Sequence, residues 1–235
     1  KRNRRFEGKS DMLKNKKAVI FDLDGTLVDS MWMWKGIDIE FLAKKGLAYP
    51  EDLEAKIEGM SFDETAEYFA KAFPIPETPE ELKVIWNNMA REKYEKEVPF
   101  KPGALKFLQY LKTNGIRTGI ATSNSRELLN AVATAHDLYS YIEVFQTSDE
   151  VKKGKPAPDV FLSAAKHLKV DPADCLVFED IPNGILAGKN AGMTVCAVAD
   201  QYSEDLIDTK KKLADFYITS YEQVLDHSYE DLRNE

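Results

Sequence analysis

The chain has 235 residues, 43% of them hydrophobic and 31% charged, and carries a net charge of −8. That length leaves room for one large domain, or for a core with a small second domain, around a sizeable apolar interior. The acidic balance argues against nucleic acid or an anionic membrane as partner, and no apolar run approaches the ~18 residues of a membrane span.

Residues 1–15 are expected to be a disordered or tag-like leader. Four of the first five residues are cationic, and no periodic pattern begins before Lys17. Gly8-Lys9-Ser10 lacks both the earlier glycine and the preceding strand of a phosphate-binding loop. Residues 18–21, Ala-Val-Ile-Phe, then form a short apolar run suited to a strand buried on both faces of a parallel sheet. The run ends in two carboxylates, Asp22 and Asp24, followed by Gly25 and Thr26. Acids at the mouth of a buried strand are costly unless they do chemistry or hold a metal. At this spacing one can attack an electrophile while the other handles protons; a solvated acidic turn is the plain alternative.

Residues 31–97 show helical patterns and no convincing strand. Trp34, Ile37 and Phe41 fall at i, i+3 and i+7, and Thr65, Tyr68 and Phe69 repeat the period. Thr78 is a good N-cap, with Pro79 at the first helical position and Glu81 at the third, opening a helix through 97. Pro99 and Pro102-Gly103 mark the end of this helical insertion.

From residue 104 onward helix and strand alternate. Helices are expected over 104–113, 127–136, 158–168 and 182–191, with a closing helix at 221–232. Strands are expected over 117–122, 143–147, 175–179, 193–199 and 216–219. Such alternation implies βαβ units, hence an α/β fold with a doubly wound parallel sheet and helices on both faces. Cys175 and Cys196 lie in apolar runs as buried free thiols, which suits a reducing cytoplasm, and no signal-peptide pattern precedes the first strand.

Functional groups in such a sheet gather at the carboxyl ends of the strands. The strand over 117–122 ends in Ala121-Thr122-Ser123-Asn124, where a hydroxyl and helix N-terminal amides can hold a phosphoryl oxygen. Helix capping by Ser123 or Ser125 is the plain alternative. The next strand leads through Lys152-Lys153-Gly154-Lys155 to Pro156, and Lys155 has the restricted backbone of a residue before proline. The strand over 175–179 ends in Glu179-Asp180. Together these ends would gather Asp22, Asp24, Glu179 and Asp180 in one pocket. Two like charges ~4 Å apart cost about 4 kcal/mol at an effective dielectric of 20. A divalent cation and a lysine would resolve the conflict, and an all-oxygen site favours Mg²⁺ over zinc. His136, His167 and His227 are scattered and offer no zinc spacing.

In this order, Asp22/Asp24, Thr122, Lys155 and Glu179/Asp180 resemble the four motifs of the haloacid dehalogenase superfamily, most of whose members are Mg-dependent phosphatases. Lys155-Pro156-Ala157-Pro158-Asp159 and Phe178-Glu179-Asp180 look like its β-phosphoglucomutase-like branch. The resemblance implies a Rossmann-like catalytic core over 16–30 and 98–235, with an all-helical cap domain at 31–97. It further implies attack by Asp22 on phosphorus to give an aspartyl phosphate, with Asp24 as acid and then base. Mg²⁺ would be held by Asp22, Asp180 and the backbone carbonyl of Asp24, with Glu179 a direct or water-mediated ligand. Thr122, Lys155 and the groups of Ser123 and Asn124 would bind the phosphoryl oxygens.

Two departures bear on substrate. Mutases of the branch carry a basic residue in a cap loop, and here Gly59-Met60-Ser61-Phe62 puts Phe62 in its place. They also keep a hinge histidine where this chain has Trp34. Trp34, Gly59 and Phe62 are therefore candidate substrate contacts, with packing of the cap interior as the alternative for the two aromatics. The expected activity is hydrolysis of a small phosphomonoester, such as a sugar or sugar-alcohol phosphate. β-Phosphoglucomutase stands as the alternative and a non-catalytic phospho-ligand binder as a third class. Carbon–halogen displacement is set aside, since it would leave Asp24 and the second acid pair without a task. A monomer is expected, with a dimer as the alternative.

Overall fold

The computed structural model describes residues 11–57, 60 and 62–233. Strand β1 (Ala18–Phe21) is buried throughout. Four helices follow it: α1 (Trp32–Lys44), α2 (Leu53–Ile57), α3 (Phe62–Ala72) and α4 (Pro79–Lys96). Among the described residues of 31–97 there is no strand. The chain then alternates through α5 (Ala104–Thr113), β2 (Arg117–Thr122), α6 (Arg126–Ala135), β3 (Val144–Thr147), α7 (Asp159–Leu168) and β4 (Cys175–Glu179). It closes with α8 (Pro182–Asn190), β5 (Thr194–Val198), α9 (Ile207–Leu213), β6 (Phe216–Ile218), α10 (Glu222–Asp226) and β7 (Glu230–Asp231).

The strands form one sheet in the order β3-β2-β1-β4-β5-β6-β7. All neighbours are parallel except β7, which runs antiparallel to β6. Because side chains alternate along a strand, β1 feeds both faces. Val19 and Phe21 join the apolar layer under α5 and α6, whereas Ala18 and Ile20 join the layer under α7 and α8. The strand order reverses between β1 and β4, which opens the crevice at their carboxyl ends.

The insertion is apolar inside. Phe41, Phe69 and Trp86 meet edge to face, with Phe69 and Trp86 centroids 4.9 Å apart. This cluster runs on without a break into the layer under α5 and α6. No helix among the described residues is long and apolar enough to cross a membrane.

Two expectations are corrected. The tag-like leader expected over 1–15 stops short of Met12, which is buried and donates its N–H to Tyr229 Oη at 2.9 Å; residues 1–10 lie outside the described residues. The closing helix expected over 221–232 covers only Glu222–Asp226. His227 takes a left-handed conformation (φ 60°), which ends the helix, and Tyr229 then packs edge-on against Phe216, 5.4 Å away, as β7 joins the sheet.

Candidate active site

Asp22 follows β1 directly, and its N–H continues the ladder to Phe178 O at 3.0 Å. Glu179 ends the neighbouring β4 and Asp180 follows it. This register sets the two acidic strand ends side by side. Oxygens of Asp22, Glu179 and Asp180 lie within 4.8 Å of one another, and all three residues are buried. Lys155 reaches the cluster from the loop before α7. Its Nζ donates to Asp22 Oδ1 at 2.8 Å, Glu179 Oε1 at 2.6 Å and Ala121 O at 3.1 Å. The Thr26 hydroxyl lies 3.0 Å from both Asp22 Oδ2 and Asp180 Oδ1.

Two glycines make this close approach possible. Gly25 has φ +78°, and a Cβ there would sit 2.2 Å from Asp180 Oδ2. A Cβ on Gly184, in the first turn of α8, would lie 1.9 Å from the Glu179 carboxyl.

Electrostatically the cluster is short of positive charge. Burial first, and then the charge of Asp22, raises the carboxyls of both Glu179 and Asp180. Burial pulls the Lys155 ammonium down, but Asp22 and Glu179 outweigh it and hold the proton on. One lysine cannot offset three buried carboxylates, so the donor set fits a hard divalent cation with oxygen ligands.

Asp24 is engaged elsewhere. Its Oδ1 accepts from Ser30 Oγ at 2.6 Å and from the Tyr94 hydroxyl, and its Oδ2 accepts from Asn124 Nδ2 at 3.0 Å. Burial is the main cause that lifts its carboxyl above the usual range, partly opposed by these donors. Its side chain is not part of the carboxylate cluster, which leaves only the main chain of Asp24 for a metal. Thr122, the last residue of β2, is buried and accepts from the Asn124 N–H at 3.0 Å, which leaves its own hydroxyl proton free to donate. Ser123 is exposed, and the N-cap of α6 is Ser125, whose side chain accepts from Leu128 N–H.

Trp34 and Phe62 meet with centroids 5.9 Å apart, and Phe62 also packs 5.8 Å from Trp86. Packing of the insertion thus accounts for one side of each ring, while Phe62 stays exposed at the start of α3. Gly59 lies outside the described residues.

Sequence reasoning missed Tyr94. It continues the stripe Leu82, Trp86 and Ala90 at a spacing of four, so it reads as one more core residue. It also missed the support behind Asp180. Ser203 Oγ donates to Asp180 O at 3.1 Å and accepts from the buried Lys210 at 3.0 Å. The contact to Asp180 spans 23 residues and leaves no local signature.

The family model for haloacid dehalogenase-like hydrolases matches residues 19–198. The chain is 35% identical over 190 residues to a bifunctional riboflavin kinase/FMN phosphatase of Arabidopsis thaliana, covering 80% of this chain and 50% of that protein. It therefore spans only half the length of that relative. It is 35% identical over 182 residues to hexitol phosphatase A of Escherichia coli (strain K12), covering 77% of this chain and 82% of that protein. A crystal structure of a haloacid dehalogenase family hydrolase from Deinococcus radiodurans R1, with bound phosphate and sodium, matches with a TM-score of 0.69 at 26% identity. That match covers 89% of this chain and 93% of the other.

Proposed function

The chain belongs to the haloacid dehalogenase-like hydrolase family, and we propose that it is a Mg²⁺-dependent phosphatase of a small sugar or sugar-alcohol phosphate, working through an aspartyl phosphate on Asp22. The observation that carries this reading is the buried set of Asp22, Glu179 and Asp180 around a single lysine. Hexitol phosphatase A among the relatives supports the substrate class.

In the first step a carboxylate oxygen of Asp22 attacks phosphorus and the bond to the substrate's ester oxygen breaks. Asp24 gives its proton to that leaving oxygen. In the second step water attacks the phosphorus of the aspartyl phosphate and Asp24 takes the water's proton. The bond to Asp22 then breaks, releasing phosphate and restoring both acids. Lys155 and the free proton of Thr122 neutralise phosphoryl oxygens, with Ser123 and Asn124 at the mouth of the same strand. Asp22 and Asp180, the main-chain carbonyl of Asp24 and the nearby Glu179 would hold Mg²⁺, which supplies the positive charge that lets these acids share one pocket with a phosphate dianion. The helices over 31–97 act as a cap on the core, hinged near Ser30 and Val98, that closes to exclude water.

The aromatic pair Trp34–Phe62 favours hydrolysis over mutase chemistry, because it offers no cation to grip a second phosphate. The test is a panel of polyol, sugar, nucleotide and glycolate phosphates assayed for phosphate release. Release should require Mg²⁺, vanish in excess chelator, and be lost in Asp22→Asn, whose amide cannot act as nucleophile. Undiminished hydrolysis in chelator, or by that variant, overturns the mechanism. Efficient conversion of β-glucose 1-phosphate to glucose 6-phosphate, primed with the bisphosphate, would assign the mutase instead.

A further inference from the structure

Tyr94 lies near the end of α4, the last helix of the insertion, and is almost wholly buried. Its hydroxyl reaches the core between Asp24 and Asn124. Asn124 sets the direction of this group of bonds. Its Oδ1 accepts from the Ser125 amide at 2.8 Å, so its NH₂ faces Asp24 Oδ2 at 3.0 Å and the Tyr94 oxygen at 2.9 Å. An amide NH₂ can only donate. The Tyr94 oxygen therefore accepts from Asn124, and its one proton is left for Asp24 Oδ1. A phenol is un-ionised at neutral pH, so that proton stays in place. Ser30 Oγ donates to the same Oδ1 at 2.6 Å. Oδ1 thus holds two hydroxyl donors, while Oδ2 holds one amide donor and keeps a lone pair open.

We propose that Tyr94 is a positioning residue: reaching from the insertion, it saturates Oδ1 of Asp24 and so leaves Oδ2 as the atom that carries the proton to and from the reacting oxygen. The proposal rests on the phosphatase reading above and adds a residue from the cap to it. Because Tyr94 belongs to α4 while Asp24, Ser30 and Asn124 belong to the sheet side, the acid/base is fully oriented only when the insertion is seated on the core. Tyr94 is not a catalytic residue in this account; it touches only the group that transfers the proton.

The experiment compares wild type with Tyr94→Phe on two substrates. One is the polyol phosphate turned over fastest in the panel above, whose alkoxide needs a proton to leave. The other is p-nitrophenyl phosphate, whose phenolate leaves without one. kcat/KM reports only the step up to transfer of the phosphoryl group to Asp22, so it isolates the acid role of Asp24. The variant should lose at least about tenfold in kcat/KM on the polyol phosphate and less than about twofold on the aryl phosphate. A purely structural role would lower both alike, and equal losses, or none, overturn the proposal. Thermal midpoints measured alongside should differ by only a few degrees, since a single hydroxyl is removed and the ring stays packed. A wild type that hydrolyses neither substrate with Mg²⁺ would instead strike at the phosphatase reading itself.

Discussion

Asp38, on the first helix of the insertion, has no hydrogen-bond partner among the described residues, and burial alone lifts its carboxyl to about 7. Tyr49 lies near enough to be raised by it, with Lys35 close to the same ring. A raised carboxyl means that the folded state favours the neutral acid. The folded state bears no penalty at pH 4 and the full penalty above pH 7, so stability is lost as pH rises between the two. Asp38→Asn keeps the shape and removes the charge. It should stabilise the protein at pH 8 by on the order of 1–3 kcal/mol, discounted for partial exposure, and by nothing at pH 4. Denaturant midpoints at the two pH values check this, and an equal gain at both would show that ionisation is not the cause. Legibility at this scale follows from how local a residue's reason is. Asp22, Asp24, Glu179 and Asp180 stand out because acids interrupt apolar strands, and Lys155 because proline follows it. Tyr94 is recognisable only from partners far along the chain, Asp24 and Asn124, and Lys210 only from the way the chain folds back to set it against Val198 and Ser203.

Helix α4 shows what an element can announce about itself. Thr78 Oγ1 accepts from the Glu81 N–H at 3.3 Å and the Glu81 carboxylate accepts from the Thr78 N–H at 2.9 Å, with Pro79 at the first helical position. All of this chemistry lies within four residues, so the boundary is written in the sequence. Thr78→Ala leaves one orphan donor at the helix start and should cost about 1 kcal/mol. For a chain of this size that lowers the thermal midpoint by roughly 2–4 °C. Loss of activity far beyond the loss of stability would mean that the seating of the helical insertion depends on this helix end. The carboxyl-terminal elements behave in the opposite way. Residues 221–232 offer a helical pattern, yet His227 turns left-handed and Tyr229 leaves to meet Phe216 and Met12. A contact to Met12 spans 217 residues, and no local pattern encodes it.

At the scale of the whole molecule, the sheet order places a concentrated negative charge where β1 and β4 part. The alternation of helices and strands announced the parallel sheet, and the four ordered motifs announced which strand ends would meet. The register that makes them meet, Phe21 beside Phe178, is a property of the assembled sheet. Folding therefore forces Asp22, Glu179 and Asp180 together against their mutual repulsion, and a bound cation should return that cost. A ligand that binds only the native state stabilises it by about 2.7 kcal/mol at a hundredfold excess over its Kd. At roughly 2–4 °C per kcal/mol, saturating Mg²⁺ should raise the thermal midpoint of the wild type by about 5–11 °C. Asp180→Asn should behave differently in two ways. Without Mg²⁺ it should melt above the wild type, because burial, Asp22 and Glu179 all disfavour the charge it removes. With Mg²⁺ it should gain little, because a ligand is gone. A wild type indifferent to Mg²⁺, or a variant that gains as much as the wild type, would move the cation away from this cluster and leave the fold as described.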